Sequence, residues 1–169
     1  FSIAHTKERN KQFKWVGDLF DEEYYFWGLK TNFKAPINSV EQLKNLRIAV
    51  LRDSNEHEYL IRENFLKIFP VVNSDQRILM LRHNRVDLLS GTEVTMSSIA
   101  RMQGFDFSKI KKILPISQLN YQLCIAFNID SDESLVSKYQ VAFKELKTSG
   151  QLSALKKKWQ IPDKTKNHL

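Results

Sequence analysis

The sequence predicts an α/β fold built around a mainly parallel sheet, on three observations. Short, nearly continuous apolar runs recur, the clearest being RIAVL at 47–51, a strand of the kind buried on both faces of a parallel sheet. Between them lie amphipathic stretches opened by capping residues; Ser39 and Gln42 stand at capping-box spacing, and Val40, Leu43 and Leu46 share one face. The two kinds of segment alternate along the chain, with no repeat, low-complexity tract or linker-like break in composition.

Taken in order, FSIA reads as a strand. HTKERNKQ reads as a polar stretch with Thr6 as N-cap and Arg9 in the first helical turn. FKWVGDLF reads as an irregular apolar segment. YYFWGLK at 24–30 is strongly β-prone, and alternation puts Tyr25 and Trp27 on one face, Tyr24 and Phe26 on the other. After RIAVL, Asp53 and Ser54 cap a helix running to about Phe69, where Pro70 stops it before a minimal strand at Val71 and Val72. Asn73 or Ser74 caps the next helix, residues 86–89 form a strand, Gly91 turns out of it, and Thr92 opens a helix to about Gln103. Residues 113–116 and 121–127 are strands. Ser131 or Asp132 caps a long helix with Leu135, Tyr139, Ala142, Phe143 and Leu146 at helical spacing, ended by Gly150. A final helix runs through Leu152, Leu155 and Trp159 and is closed by Pro162.

Composition narrows the function classes. With 42% hydrophobic and 27% charged residues among 169, the chain has the balance of a soluble globular protein, and no apolar run reaches transmembrane length. FSIAHTKER carries no signal-peptide apolar region, so the chain reads as a mature or trimmed product. The net charge of +7 suggests nucleic acid, but five lysines against Asp163 put +4 of it in residues 156–169, and the rest is interleaved with acids. Such a tail is a solvated end, and no nucleic-acid partner is expected. Cys124 is the one cysteine; no intrachain disulfide can form, and its setting in QLCIAF marks a buried small hydrophobe. His5, His57, His83 and His168 show no metal spacing, the five glycines form no phosphate loop, and no nucleophile elbow occurs, so no metal, cofactor or catalytic residue is predicted.

The order of the blocks SIA…TKER, SVEQLKNLRIAV, NRVDLL, LCIAFN and AFKELKTSGQLSALKKKW is similar to that of the family 3 extracellular solute-binding proteins, the receptors of polar amino acid ABC transporters. The resemblance runs to about Ile161. It implies a periplasmic binding protein type II-like fold, with two lobes joined by two crossover strands. Residues 1–25 would be a remnant of lobe 1 and the first crossover, 26–122 a complete lobe 2, and 123–169 the second crossover and the C-terminal helices of lobe 1. On this resemblance the sequence lacks the N-terminal segment that opens the family's first lobe; such a partial lobe exposes apolar surface, so a homodimer formed by exchange of those helices is expected, unless the missing segment is removed after folding.

A free amino acid is a zwitterion, and holding it away from water takes donors for its carboxylate and a carboxylate for its ammonium. The resemblance supplies candidates. Thr6 and Arg9 match a T-x-x-R motif whose arginine forks a ligand carboxylate. Ser2 stands where the family often has an upstream hydroxyl. Ser54 and Asn55 match the ligand-contacting loop after RIAVL, although Asp53 replaces a usual glycine and its charge opposes an anion. Thr92 occupies the position of the family's ammonium-binding aspartate, and Glu93 would substitute if the turn shifts by one residue. Trp27 would wall the cleft, with core packing the competing role. The function implied is non-enzymatic: a periplasmic receptor that closes on a small, amino acid-like solute and presents it to an inner-membrane ABC permease. The alternatives are an extracytoplasmic sensing domain of a signalling protein and a dehydratase-like enzyme on the same fold.

Overall fold

The computed structural model describes residues 1–159 and Ile161. Pro162, Asp163, Lys164, Lys166 and His168 of the tail considered above lie outside the described residues. In chain order the strands are β1 (Ser2–His5), β2 (Phe13–Glu22), β3 (Tyr24–Leu29), β4 (Arg47–Leu51), β5 (Lys67–Val71), β6 (Leu88–Thr92), β7 (Ile110–Pro115) and β8 (Tyr121–Asn128). The helices are α1 (Asn55–Arg62), α2 (Ser74–Arg82), α3 (Glu93–Met102), α4 (Glu133–Thr148) and α5 (Gln151–Lys158). The chain forms two compact units: Phe1–Glu22 with the chain from Tyr121 onward, and Glu23–Asn120.

The first unit is a three-stranded antiparallel sheet in the order β1-β8-β2. FKWVGDLF, expected to be irregular, lies in the ten-residue strand β2. Register shifts between Trp15 and Gly17 and between Asp18 and Phe20 hide it: each irregularity resets the in-out alternation, so no period of two runs through the segment. Gly17 is a point of close approach, because a Cβ there would lie 2.3 Å from ring carbons of Phe143. Helix α4 therefore seats on β2 where the strand has no side chain. Asp132 is the cap of α4, its carboxylate accepting from the backbone N–H groups of Ser134 and Leu135 at 2.8 and 3.1 Å. Gly150, with φ of 79°, ends the helix in the left-handed conformation. Of the stripe expected to face inward, Phe143 is buried, but Leu135 and Tyr139 are 42% and 52% exposed. Thr6 is not a helix cap: Glu8–Lys11 is a 3-10 turn with Lys7 at its N-cap, and Thr6 instead accepts the Arg9 N–H through its carbonyl at 3.2 Å.

The second unit holds a five-stranded sheet in the order β5-β4-β6-β3-β7. It is mixed rather than mainly parallel: β4 pairs parallel with β5 and β6, whereas β3 pairs antiparallel with β6 and β7. The apolar runs of β3 and β7 look alike for either direction, so strand content alone did not separate the two arrangements. One face packs Trp27, Ala49, Leu89, Ile78, Leu81 and Met96 together. Phe26, which follows the opposite alternation, stacks on Phe65 with ring centroids 5.5 Å apart.

Helix α1 stops at Arg62, well short of Phe69, and residues 67–71 form a strand that contains Pro70. The stop is Asn64, whose φ of 60° is incompatible with a continuing helix. Pro70 is tolerated because β5 is a sheet edge. The Val71 carbonyl turns inward to accept the Arg52 N–H at 2.8 Å, so by alternation the nitrogen of Pro70 faces away from β4 and no ladder bond is lost. At the other end of β4, Asp87 accepts the Arg47 backbone N–H and Nε at 2.9 and 3.0 Å through one oxygen, and Nη2 at 2.7 Å through the other. This fork joins the amino ends of two neighbouring parallel strands.

Candidate functional site

Strands β4 and β6 are parallel neighbours, with Ile48 beside Leu88 and Ala49 beside Leu89. Their carboxyl ends both lead into helix starts, β4 through a short turn into α1 and β6 directly into α3. With β5, which is parallel to β4 and leads into α2, three helix N-termini stand at this end of the sheet, the end at which open α/β sheets take ligands. Free backbone N–H groups there favour an anion, by about 0.3–1 kcal/mol at each exposed terminus.

Ser54 caps α1: its Oγ accepts from the His57 N–H at 3.2 Å and donates to the Leu51 carbonyl at 2.8 Å. Asn55 is the first helical residue. Asp53 holds φ of 58°, a conformation that favours glycine, so the family's usual residue at this position has a backbone reason. Thr92 caps α3, is 5% exposed, and its Oγ1 accepts from the Thr95 N–H at 3.2 Å. Its hydroxyl is thereby committed to the helix. Glu93 follows as the first residue of α3, and its carboxylate pairs with Lys112 Nζ at 2.6 Å. That ammonium also lies 4.4 Å from the ring centroid of Tyr25. Tyr25 and Trp27 do share a face, edge to face at 6.2 Å. Trp27, however, is 3% exposed and its indole N–H donates to the Gly91 carbonyl at 2.9 Å, which places it in the core of this unit. The Tyr25 hydroxyl donates to Glu23 at 2.6 Å, and burial, with the charge of Glu93 second, raises its pKa.

Sequence reading passed over Arg77. It is 2% exposed and donates through Nη1 to the Ser90 carbonyl at 2.9 Å and through Nε to the Ser74 carbonyl at 3.3 Å, with Nη2 on Ser74 Oγ. Burial lowers its pKa, with Glu56, Tyr24 and Asp75 opposing that shift through charge. No carboxylate pairs with it among the described residues. Next to that carbonyl, the Ser90 hydroxyl is buried with no partner. A charged residue on a helix ordinarily reads as solvent-facing, and only the Ser90 carbonyl it meets in the middle of β6 could have marked it.

The first unit carries Ser2, Thr6 and Arg9. Ser2 is exposed on β1, opposite Ile125. Arg9 lies in the 3-10 turn that follows, and Thr6, just before that turn, accepts the Arg9 N–H through its carbonyl. Arg9 donates through Nη1 to the Ala4 carbonyl at 3.1 Å, and no carboxylate pairs with it among the described residues. One backbone bond orients the guanidinium and leaves donors of its fork available for a carboxylate. Ser54, Asn55, Thr92 and Glu93 thus gather at one sheet end of the second unit, while Ser2, Thr6 and Arg9 belong to the first.

No protein-family model matches the chain, and no curated protein matches its sequence. Solved structures do. The probable amino-acid ABC transporter extracellular-binding protein ytmK of Bacillus subtilis is similar at 20% identity and TM-score 0.75, over 96% of this chain and 70% of that one. A histidine kinase sensor domain with similarity to periplasmic binding proteins aligns at 18% identity and TM-score 0.72, over 94% and 67%. The GluR0 ligand-binding core of Nostoc punctiforme, solved with L-glutamate, aligns at 18% identity and TM-score 0.66, over 95% and 71%. The chain therefore has the α/β fold of periplasmic binding proteins. With 418 solved chains matching, that fold alone selects no ligand.

Proposed function

We propose that the chain is part of a periplasmic, non-enzymatic receptor that captures a small polar solute, amino acid-like, and delivers it to an inner-membrane ABC permease. The reading rests on one arrangement: the starts of α1 and α3 at the carboxyl ends of adjacent parallel strands, on a fold shared with amino acid-binding proteins. In this proposal residues 26–122 are lobe 2 and the flanking segments belong to lobe 1. Arg9 grips the ligand carboxylate with Ser2 and Thr6 beside it, Ser54 and Asn55 offer the α1 terminus, and Thr92 and Glu93 the α3 terminus. Trp27 supports this wall from behind through its bond to Gly91. Closure is a population shift that the bridging ligand drives by contacts made only in the closed state.

A thermal-shift screen of the intact protein against amino acids and small polar acids tests this. A ligand at about 100 times its Kd adds roughly 2.7 kcal/mol of stability, about 5–10 °C for a protein of this size. The expected result is a selective shift that Arg9→Ala removes. A shift unchanged by Arg9→Ala overturns the carboxylate assignment, and no shift across the panel overturns the ligand class.

A second reading, an extracytoplasmic sensing domain, draws on the histidine kinase sensor domain, which aligns about as well as the transport protein. Ligand-stimulated uptake through a reconstituted permease favours transport; ligand-dependent output from a kinase in the same polypeptide favours sensing. The proposal includes self-association of the first unit, where Leu135, Val141 and Leu155 are exposed. Light scattering at a dimer mass supports that part, and a monomer at high concentration removes it.

A further inference from the structure

The sheet of the first unit assembles a constellation with no signature in sequence spacing. Cys124 sits on the central strand β8, Asp18 stands directly opposite it on β2, and His5 on β1 pairs with Gln122, two residues from Cys124. Directly paired residues, and residues two apart on one strand, share a face. All three side chains are therefore on one face. A ring nitrogen of His5, a carboxylate oxygen of Asp18 and Cys124 Sγ lie within 4.8 Å of one another.

The histidine is prepared for coordination. Trp15 Nε1, a donor only, contacts Asn10 Oδ1 at 2.9 Å, which fixes that atom as the amide oxygen. His5 Nε2 lies 3.0 Å from the same oxygen, and an amide oxygen only accepts, so Nε2 carries the proton. In neutral His5 the lone pair is then on Nδ1. The ring is also held against the Trp15 indole, with centroids 4.1 Å apart. A histidine whose outer nitrogen is tied to a neighbouring oxygen is the arrangement that orients metal-binding imidazoles.

We infer that His5, Asp18 and Cys124 form a binding site for one borderline transition-metal ion of the zinc type, held through His5 Nδ1, a carboxylate oxygen of Asp18 and Cys124 Sγ. One sulfur, one nitrogen and one oxygen suit zinc or cobalt(II) rather than calcium or magnesium. Tetrahedral coordination sets donor atoms about 3.5 Å apart; Cys124 Sγ and Asp18 Oδ1 already lie 3.2 Å apart, and with no separation in the trio above 4.8 Å the His5 nitrogen has at most about 1 Å to close. Three protein ligands leave the fourth position to water or to a donor from another molecule. In the metal-free chain the Cys124 thiol donates to Asp18 Oδ1 at 3.2 Å. On binding, the metal–sulfur bond replaces the S–H bond, the proton passes to solvent, and the Asp18 oxygen turns from hydrogen-bond acceptor to metal ligand.

Cobalt(II) titration of the untagged, chelator-treated chain tests the site. The expected result is a thiolate-to-cobalt charge-transfer band in the near ultraviolet that saturates at one cobalt per chain and is lost on adding zinc. Cys124→Ser abolishes the band, His5→Ala and Asp18→Ala weaken binding by about 10-fold or more, and Asn10→Ala weakens it by about 10–100-fold. His5 and Asp18 are outside the buried core, so their variants decide the matter even if Cys124→Ser does not fold. No band at millimolar cobalt, or a band of unchanged affinity in both His5→Ala and Asp18→Ala, overturns the proposal.

Discussion

Lys112 Nζ stands 2.6 Å from a carboxylate oxygen of Glu93, so the acid proposed above to meet a ligand ammonium already holds one from its own chain. Both side chains are partly exposed, at 40% and 45%, so the pair adds under about 1 kcal/mol to stability. In the proposed site its weight falls on recognition, since an incoming ammonium would have to displace Lys112 from Glu93 and the Tyr25 ring.

Lys112→Met vacates that position. Calorimetry is expected to find tighter binding of an α-amino acid, by up to about 5-fold if displacement costs up to about 1 kcal/mol, with little change for the corresponding 2-oxo acid. Equal effects on both compounds would mean that Glu93 does not meet the ammonium.

Asp53→Gly removes a side chain from a left-handed position and a negative charge from the start of α1. A stability gain of up to about 1 kcal/mol is expected from the backbone, together with tighter binding of anionic ligands that fades as salt is raised. Urea denaturation measures the first effect and calorimetry the second. A loss of stability would show that Asp53 contributes more than its conformation costs.

Arg77→Ala leaves the buried carbonyl of Ser90 and the partly buried one of Ser74 without their guanidinium donors. The expected loss is about 2–4 kcal/mol in urea denaturation. Arg77→Met, which fills most of the volume and relieves the buried charge, should recover part of it. If Arg77→Ala is neutral, water replaces those bonds and the residue does not brace β6.

The Arg47 hydrogen bond, the largest cause, holds the Asp87 carboxyl below its ordinary range. A pKa depressed on folding contributes stability that is complete above the unfolded value and is lost as pH falls through the folded one. Wild-type stability should therefore drop below about pH 4 with a component that Asp87→Asn lacks. The variant itself is expected to lose about 1–2 kcal/mol at pH 7. Parallel acid limbs in the two proteins would remove Asp87 from the titration.

Local signals were the legible ones. RIAVL became β4, the Ser39–Gln42 capping box is present, Asp132 caps α4 and Gly150 ends it, because each depends on neighbours in sequence. Strand β2 was missed since its register shifts break the alternation that sequence reading relies on. Helix α1 was drawn too long because Asn64 in a left-handed conformation stops it as firmly as a glycine would. Of the candidate site, the hydroxyl caps Ser54 and Thr92 were readable from position. The Glu93–Lys112 pair and the Arg77–Ser90 bond join residues 19 and 13 positions apart through sheet and helix packing, which no local pattern encodes.

Pro70 on the outer side of β5 bears on how the chain behaves when crowded. An unpaired strand border is a template for a second chain, and Leu66, Phe69 and Val72 give this one exposed apolar side chains that would reward stacking. A proline there withholds one of the donors an incoming strand would need. The same residue that confused the reading of α1 thus makes this border a poorer template for an added strand.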